Sequence, residues 1–405
     1  MARLFGTFAA MKSFILPLLV LGILATPAAY ADYDHSDTRV ALITCGPGDD
    51  LYAVFGHSAI QIYNPDQGID RVYNYGTFDF DTPNFYLKFA QGRLEYALAV
   101  STLDYFMATY YYEGRWVKRQ WLNLETEEVE ALYHFLEHNA LPENRYYAYD
   151  FFYDNCSSRI RDVFEEVLGE RLHYPNGDKD TTATFRQMID LYLTAHPWSD
   201  LGIDLALGVP CDARAGFREK MFLPDYLMDA MGQALLLRDG EKSPFVAKTE
   251  TLLEENPKLR SAEESSITWL FWCFFGFCLL ASIFVSPERL RWFDFGFFLI
   301  IGLLSIAILL LWFATDHSAT KWNMNILWAL PTWLYAAYLI LRKRTESSFF
   351  KYHSAVLFFV MIAWMWIPQS LNTAVIPLVL ALITRCWSWQ KQIFRNENAV
   401  QASPE

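Results

Sequence analysis

Two short stretches, about a hundred residues apart, carry the residue types for nucleophilic chemistry. The first is Phe55-Gly56-His57-Ser58-Ala59-Ile60-Gln61-Ile62-Tyr63, a β-type run with a histidine near its start. The second is Asp154-Asn155-Cys156-Ser157-Ser158-Arg159, a polar turn that delivers a cysteine to the first turn of a helix. After Cys156 the apolar residues Ile160, Val163, Phe164, Val167 and Leu168 keep the i, i+3, i+4 spacing of one helix face. Asp154 or Asn155 can cap that helix. A thiol at a helix start sees the positive end of the helix dipole, which favours the thiolate. With His57 folded against it, the pair is an imidazolium–thiolate nucleophile. Without that contact the two are a buried cysteine and a core histidine, and spacing alone leaves both readings open.

The elements that must position these residues follow from period and punctuation. Ala41 to Thr44 is a short β-type run ending in the turn Cys45-Gly46-Pro47-Gly48. The His57 strand is broken by Asn64 to Gly68 and resumed at Arg71 to Tyr75, which makes a hairpin. Its turn near Gln67–Gly68 sets the return strand, Asn74 to Asp79, opposite His57. Asn74 or Asp79 is therefore the candidate partner that orients the imidazole, unless both serve turn and core. Glu95 to Val100 and Val117 to Leu122 read as further strands, and the aromatic run Ser101 to Tyr112 is ambiguous. Leu124 to Asn139, Thr184 to Ala195 and Leu223 to Leu237 read as helices. Arg159 and Arg161, one turn after Cys156, are candidates for a phosphate headgroup or for pairing with acids such as Asp162.

Composition divides the chain. Of 405 residues, 53% are hydrophobic and 17% aromatic, and the apolar residues crowd into the last third. That implies an exported α+β domain followed by an all-α membrane domain. The net charge of −13 argues against a nucleic-acid partner. Lys12, the apolar run Phe14 to Leu24 and Ala29-Tyr30-Ala31 read as an export signal over residues 1–31. The soluble domain is expected over 32–240, a linker over 241–266, membrane segments over 267–390 and a tail over 391–405. Five apolar segments are expected, about Ile267–Val285, Trp292–Phe313, Ile326–Leu341, Ser354–Pro368 and Thr373–Trp389. Arg289, Arg291, Arg342, Lys343, Arg344, Lys351, Arg385, Lys391 and Arg395 would then lie on the inner side, with Lys321 in an outer loop. That charge bias places the C-terminus in the cytoplasm.

Of the six cysteines, Cys45, Cys156 and Cys211 lie in the exported part. An odd number hints at one reactive thiol; Cys45 and Cys211 are the candidate disulfide, leaving Cys156 free. No spacing suggests a metal site, and no cofactor is expected. The outer loop Thr315-Asp316-His317-Ser318 lies on the same side as Cys156, so Asp316 and His317 are candidates to complete a substrate site at the membrane surface, against the alternative of a solvated loop.

The order, histidine strand before Asn-Cys turn, reverses that of ordinary papain-type and NlpC/P60-type hydrolases. It resembles the circularly permuted group related to lecithin:retinol acyltransferase, in which the cysteine takes an acyl chain from a phospholipid. A wider resemblance is carried by Cys45-Gly46-Pro47-Gly48, Phe55 to Ala59, Tyr73 to Phe80, Tyr149 to Phe152, Asp154 to Arg159 and Met221-Phe222-Leu223-Pro224-Asp225. These look like the Lnb family of bacterial inner-membrane proteins. That resemblance implies a permuted papain-like periplasmic domain on a membrane domain. It also implies transfer of a fatty acyl chain from a phospholipid donor, through a thioester on Cys156, to the N-terminal amine of a lipoprotein acceptor. In that scheme His57 is the base, Asn155 belongs to the substrate-binding turn, and the Cys156 backbone N–H holds the oxyanion. The same dyad also fits a cysteine amidase, peptidase or phospholipase, and the spans alone fit a non-catalytic sensor.

Overall fold

A computed structural model describes residues 35–78, 81–177, 183–259, 266–343 and 347–401. The expected export signal and Asp79 lie outside these residues. The fold is α+β, with an N-terminal sheet domain and a C-terminal helical domain.

The short run at Ala41 becomes β1 (Arg39–Cys45), buried from Val40 onward. A strand covered on both faces reads as a continuous apolar run, as this one does. The hairpin forms from β2 (His57–Asn64) and β3 (Ile69–Thr77). The Asn64 side chain fixes its turn by accepting from the Asp66 and Gln67 backbone N–H groups. Next come α1 (Phe85–Gln91), β4 (Glu95–Ser101), α2 (Leu103–Tyr112), β5 (Val117–Leu122), α3 (Thr126–Ala140) and β6 (Tyr146–Ala148). The helix that opens at Cys156 is α4 (Cys156–Leu168), and it lies across β2 and β3. The aromatic run left ambiguous above is α2: Phe106 and Tyr110 bury against Ile43, Cys45 and Val72 while Tyr105, Tyr111 and Tyr112 face outward.

Beyond α4 lie β7 (Leu172–His173), α5 (Phe185–Leu193), α6 (Pro197–Ala206), α7 (Pro224–Gln233), β8 (Leu235–Arg238), β9 (Glu241–Pro244) and β10 (Val246–Leu253). The helix expected through Leu237 therefore stops at Gln233, and Leu235 to Arg238 pair with β7 and β9. The stretch read as a linker is largely strand: β10 hydrogen-bonds along β5 and forms one edge of a seven-stranded sheet ordered β10-β5-β1-β2-β3-β4-β6. Its ladder is antiparallel throughout.

The helical domain comprises α8 (Thr268–Phe284), α9 (Arg291–Phe313), α10 (Trp333–Leu341), α11 (Ser347–Ala363) and α12 (Val375–Gln401). Among the described residues, Arg291–Phe313 and Ser348–Trp366 are long and apolar enough to cross a membrane, and α8 is shorter at 17 residues. The third apolar segment is broken rather than continuous. Before α10 the chain is irregular, and side chains satisfy its polar groups: Gln369 accepts from the Met324 N–H, and Asn325 accepts from the Trp328 indole. Arg385, one of the charges expected on the inner side, is not at the surface of the helical domain. It is fully buried on α12, forks onto Asp294 of α9 at 2.6 and 2.7 Å, and donates to Ser282 of α8. A buried guanidinium must have its counter-ion, and this pair ties three helices together.

The two domains dock through polar contacts. Asn323 donates to the carbonyls of Leu205 and Ala206, and Asn372 donates to Asp200 and Asp204. The Gly208 N–H donates to Ala319 O, at a place where a side chain would strike the Lys321 backbone.

Candidate active site

His57 opens β2 directly opposite Cys45 of β1. The β2–β3 register pairs Ile60 with Tyr73, which makes Asn74 a diagonal neighbour of His57 on the same sheet face. The contact is made: His57 Nε2 donates to Asn74 Oδ1 at 2.5 Å. With Nε2 so engaged, Nδ1 is the nitrogen left for Cys156.

Asn155 builds the turn that presents the thiol. Its side-chain oxygen accepts from the backbone N–H groups of Ser157 and Ser158 at 2.8 and 2.9 Å. The Ser158 hydroxyl returns the bond by accepting from the Asn155 N–H, completing a capping box. The Asn155 amide nitrogen donates to Phe151 O and Phe222 O, both at 2.8 Å. This side chain is thus engaged in holding the turn, and Asn155 also lines the cavity into which the thiol opens. Gly76 at the end of β3 lets the turn approach: its φ is +85°, and a Cβ there would sit 3.4 Å from Cys156 Cβ.

Burial disfavours both charged forms, and against it each group favours the charge on the other. The imidazolium beside it and their hydrogen bond lower the Cys156 pKa, helped by the Ser58 N–H and the Ser157 hydroxyl. The same contact, and the bond to Asn74, raise the His57 pKa, while the nearby Arg115 charge works against it. The pair therefore favours thiolate and imidazolium, the form that attacks carbonyl carbon.

Cys156 and His57 open into a cavity of about 490 Å³. Its walls are largely apolar, with Phe55, Phe78, Phe89 and Leu94 among them, and Tyr96 stacks on Tyr149 at 4.1 Å. One wall comes from the helical domain: Asp316, His317, Ser318 and Ala319. Asp316 pairs with Arg93 at 2.7 Å, the His317 ring lies 3.0 Å from Phe89 O, and Ser318 donates to Asp150 at 2.7 Å. Cys156, His57, Asn74, Asp316 and His317 are thus gathered in one region.

Arg159 and Arg161 are not. Arg159 pairs with Asp154 at 2.6 Å and lies over the Tyr147 ring, and Arg161 is buried against Asp162 and Arg218 O. Neither lines the cavity; of the two alternatives, headgroup contact or pairing with nearby acids, the ion pairing is the one made, and it braces α4. The Cys45–Cys211 disulfide is also corrected. Cys45 packs on the sheet face under Tyr110, whereas Cys211 packs among Phe185, Met188 and Phe222 and donates to Ala319 O. Both are free thiols, and burial pushes each up to about 12, so they stay protonated and inert. Residues at the site to which pattern reasoning gave no role include Gly76, Tyr149 and Tyr96. The first sits in a visible Tyr-Gly-Thr, but a lone glycine in a strand signals only a bulge or close approach.

A sheet domain with a thiol–imidazole site, closed by a loop from an apolar helical domain, and the family matches that follow together define a membrane protein with a periplasmic N-terminal domain. Residues 25–190 match the Lnb N-terminal periplasmic domain, residues 265–397 match the Lnb transmembrane domain, and the chain belongs to the Lnb family. Comparison with curated proteins and with solved structures yields no match.

Proposed function

We propose that this protein is a thiol acyltransferase that moves a fatty acyl chain from a phospholipid to the N-terminal amine of a lipoprotein. The observation that carries this reading is the Cys156–His57–Asn74 chain at the wall of an apolar cavity bordered by the loop that follows α9. A cavity of that size and lining suits an acyl chain better than a polar peptide. The Cys156 thiolate attacks the ester carbonyl, the tetrahedral oxyanion faces the Cys156 N–H at the start of α4, and His57 gives its proton to the departing lysophospholipid oxygen. The acceptor amine then attacks the thioester. His57 takes the amine proton, the amide forms and the thiolate leaves. Asn74 holds the imidazole and is a positioning residue.

Two structural readings belong to the same proposal. The sheet domain is a permuted papain-like fold, supported by the order histidine strand, return strand, Cys-bearing helix. The helical domain spans the membrane five times with the C-terminus in the cytoplasm. A reporter fused after Glu405 is expected to behave as cytoplasmic and one at Ala319 as exported. Mass spectrometry of lipoprotein N-termini from cells with and without the protein tests the activity. Loss of the amide-linked acyl chain in its absence is expected; unchanged N-termini would remove the lipoprotein acceptor from the proposal.

A further inference from the structure

Helix α1 buries only Phe85. Tyr86, Leu87 and Phe89 are exposed at 80, 57 and 53%, an apolar face that a water-facing helix does not need. The helix carries no acid and one base, Lys88. Its C-terminal end is fixed to the loop after α9 by several contacts: the Asp316 N–H donates to Gln91 O at 2.8 Å, His317 meets Phe89 O, and Arg93 pairs with Asp316. Gly92 packs so closely that a Cβ there would lie 3.0 Å from the His317 backbone nitrogen.

That loop begins where α9 ends, at Phe313. Trp312 stacks on Phe313 and contacts Trp322, which is itself exposed, and aromatic residues so placed mark the membrane–water boundary. Lys321 donates to Trp312 O and Thr315 O, closing the end of α9 at that level. A seven-residue helix is roughly 10 Å long, and the headgroup layer is about 5–8 Å deep on each side. Tethered by one end to the α9 boundary, α1 has little room to leave that layer. Phe89 also lines the cavity, as do the exposed Leu51 and Tyr52.

We propose that α1 is an interfacial helix whose Tyr86–Leu87–Phe89 face inserts into the headgroup layer of the membrane that holds α9, so that the cavity opens directly onto lipid. Its use as an entry path for an acyl donor rests on the acyl-transfer reading; its insertion does not. The full-length protein in nanodiscs of phosphatidylethanolamine and phosphatidylglycerol, doped with a phospholipid bearing a diazirine near the glycerol, tests insertion. On irradiation, lipid adducts are expected on the Tyr86–Phe89 peptide as well as on the helical domain. Adducts on the helical domain with none on α1 would overturn the proposal. Leu87→Glu sets a carboxylate in the layer without touching the cavity. It is expected to abolish the α1 adducts and to raise KM for membrane-embedded donor about tenfold, with unchanged transfer from a dispersed short-chain ester to hydroxylamine. An unaltered KM in a folded Leu87→Glu protein would refute the entry role. Absence of any turnover with α1 adducts intact would count against the acyl-transfer reading alone.

Discussion

Replacing Asn74 by alanine isolates the contribution of the group behind His57. The bond lost is 2.5 Å long and joins a carbonyl oxygen to an imidazole that works as a cation. Hydrogen bonds to charged groups contribute about 1.5–3 kcal/mol, which corresponds to roughly a 10- to 150-fold loss of acylation rate. The pH profile carries more information than the rate. Asn74 is one of the groups that raise the His57 pKa, after Cys156 itself. Removing it lets the imidazolium lose its proton at lower pH, so the alkaline limb of the profile moves toward acid. Asn74→Asp sets a carboxylate in the same place, and its limb is expected to move the other way. Acyl-enzyme formation is measured by quenched single turnover across pH, since steady-state turnover mixes in product release. A wild-type rate and limb in Asn74→Ala, or both variants shifting in one direction, would refute the positioning role.

Asn155→Ala removes a helix cap worth about 1 kcal/mol and two struts of about 1 kcal/mol each; a melt is expected to show the sheet domain about 2–4 kcal/mol less stable. Arg385→Ala leaves Asp294 buried without its counter-ion, a loss of about 3–5 kcal/mol that thermal unfolding in detergent would detect, whereas a paired Asp294→Leu/Arg385→Met variant should recover much of it. Burial and the neighbouring carboxylates of Asp204 and Asp200 push the Asp190 pKa up to about 7. A carboxyl raised above its unfolded value near 4 costs stability progressively as pH rises from about 4 to 7. Asp190→Asn, which cannot ionise, should therefore melt higher than the parent at pH 8 and at the same temperature below about pH 4; equal melting at pH 8 would show the cluster to be relaxed.

The sheet core was readable because its strands carry their burial in their sequence. Val40 to Cys45 and Ala59 to Ile62 are continuous or alternating apolar runs, and all are buried. The placement of His57 and Cys156, with Asn74 as one of two candidates behind the imidazole, was readable for a related reason: a hairpin fixes diagonal neighbours, and a polar turn before an amphipathic helix fixes the residue at its start. β10 was not readable, because it is an edge strand with no buried residue and a polar run at Lys248 to Thr251, so neither period nor apolarity marks it. Helix α1 is short and bounded by Asn84 and Gly92, both left-handed, and its apolar face does not point into the protein core. The Cys45–Cys211 pairing failed because parity in a cysteine count carries no distance. Arg385 shows the same limit for charge: sequence position fixes a side chain's level on a helix but not which neighbouring helix supplies its acid, here Asp294 of α9.

The most direct measurement is the covalent intermediate. Membranes holding the protein are incubated with a phospholipid labelled in its acyl chain, and the protein is then isolated under denaturing conditions and treated with hydroxylamine. Wild-type protein is expected to carry label that hydroxylamine removes, mapped to Cys156, while Cys156→Ala carries none and His57→Ala acquires it about 10²–10⁴-fold more slowly. Full lipoprotein acylation by Cys156→Ala, or a hydroxylamine-sensitive label on that variant, would contradict the thioester mechanism.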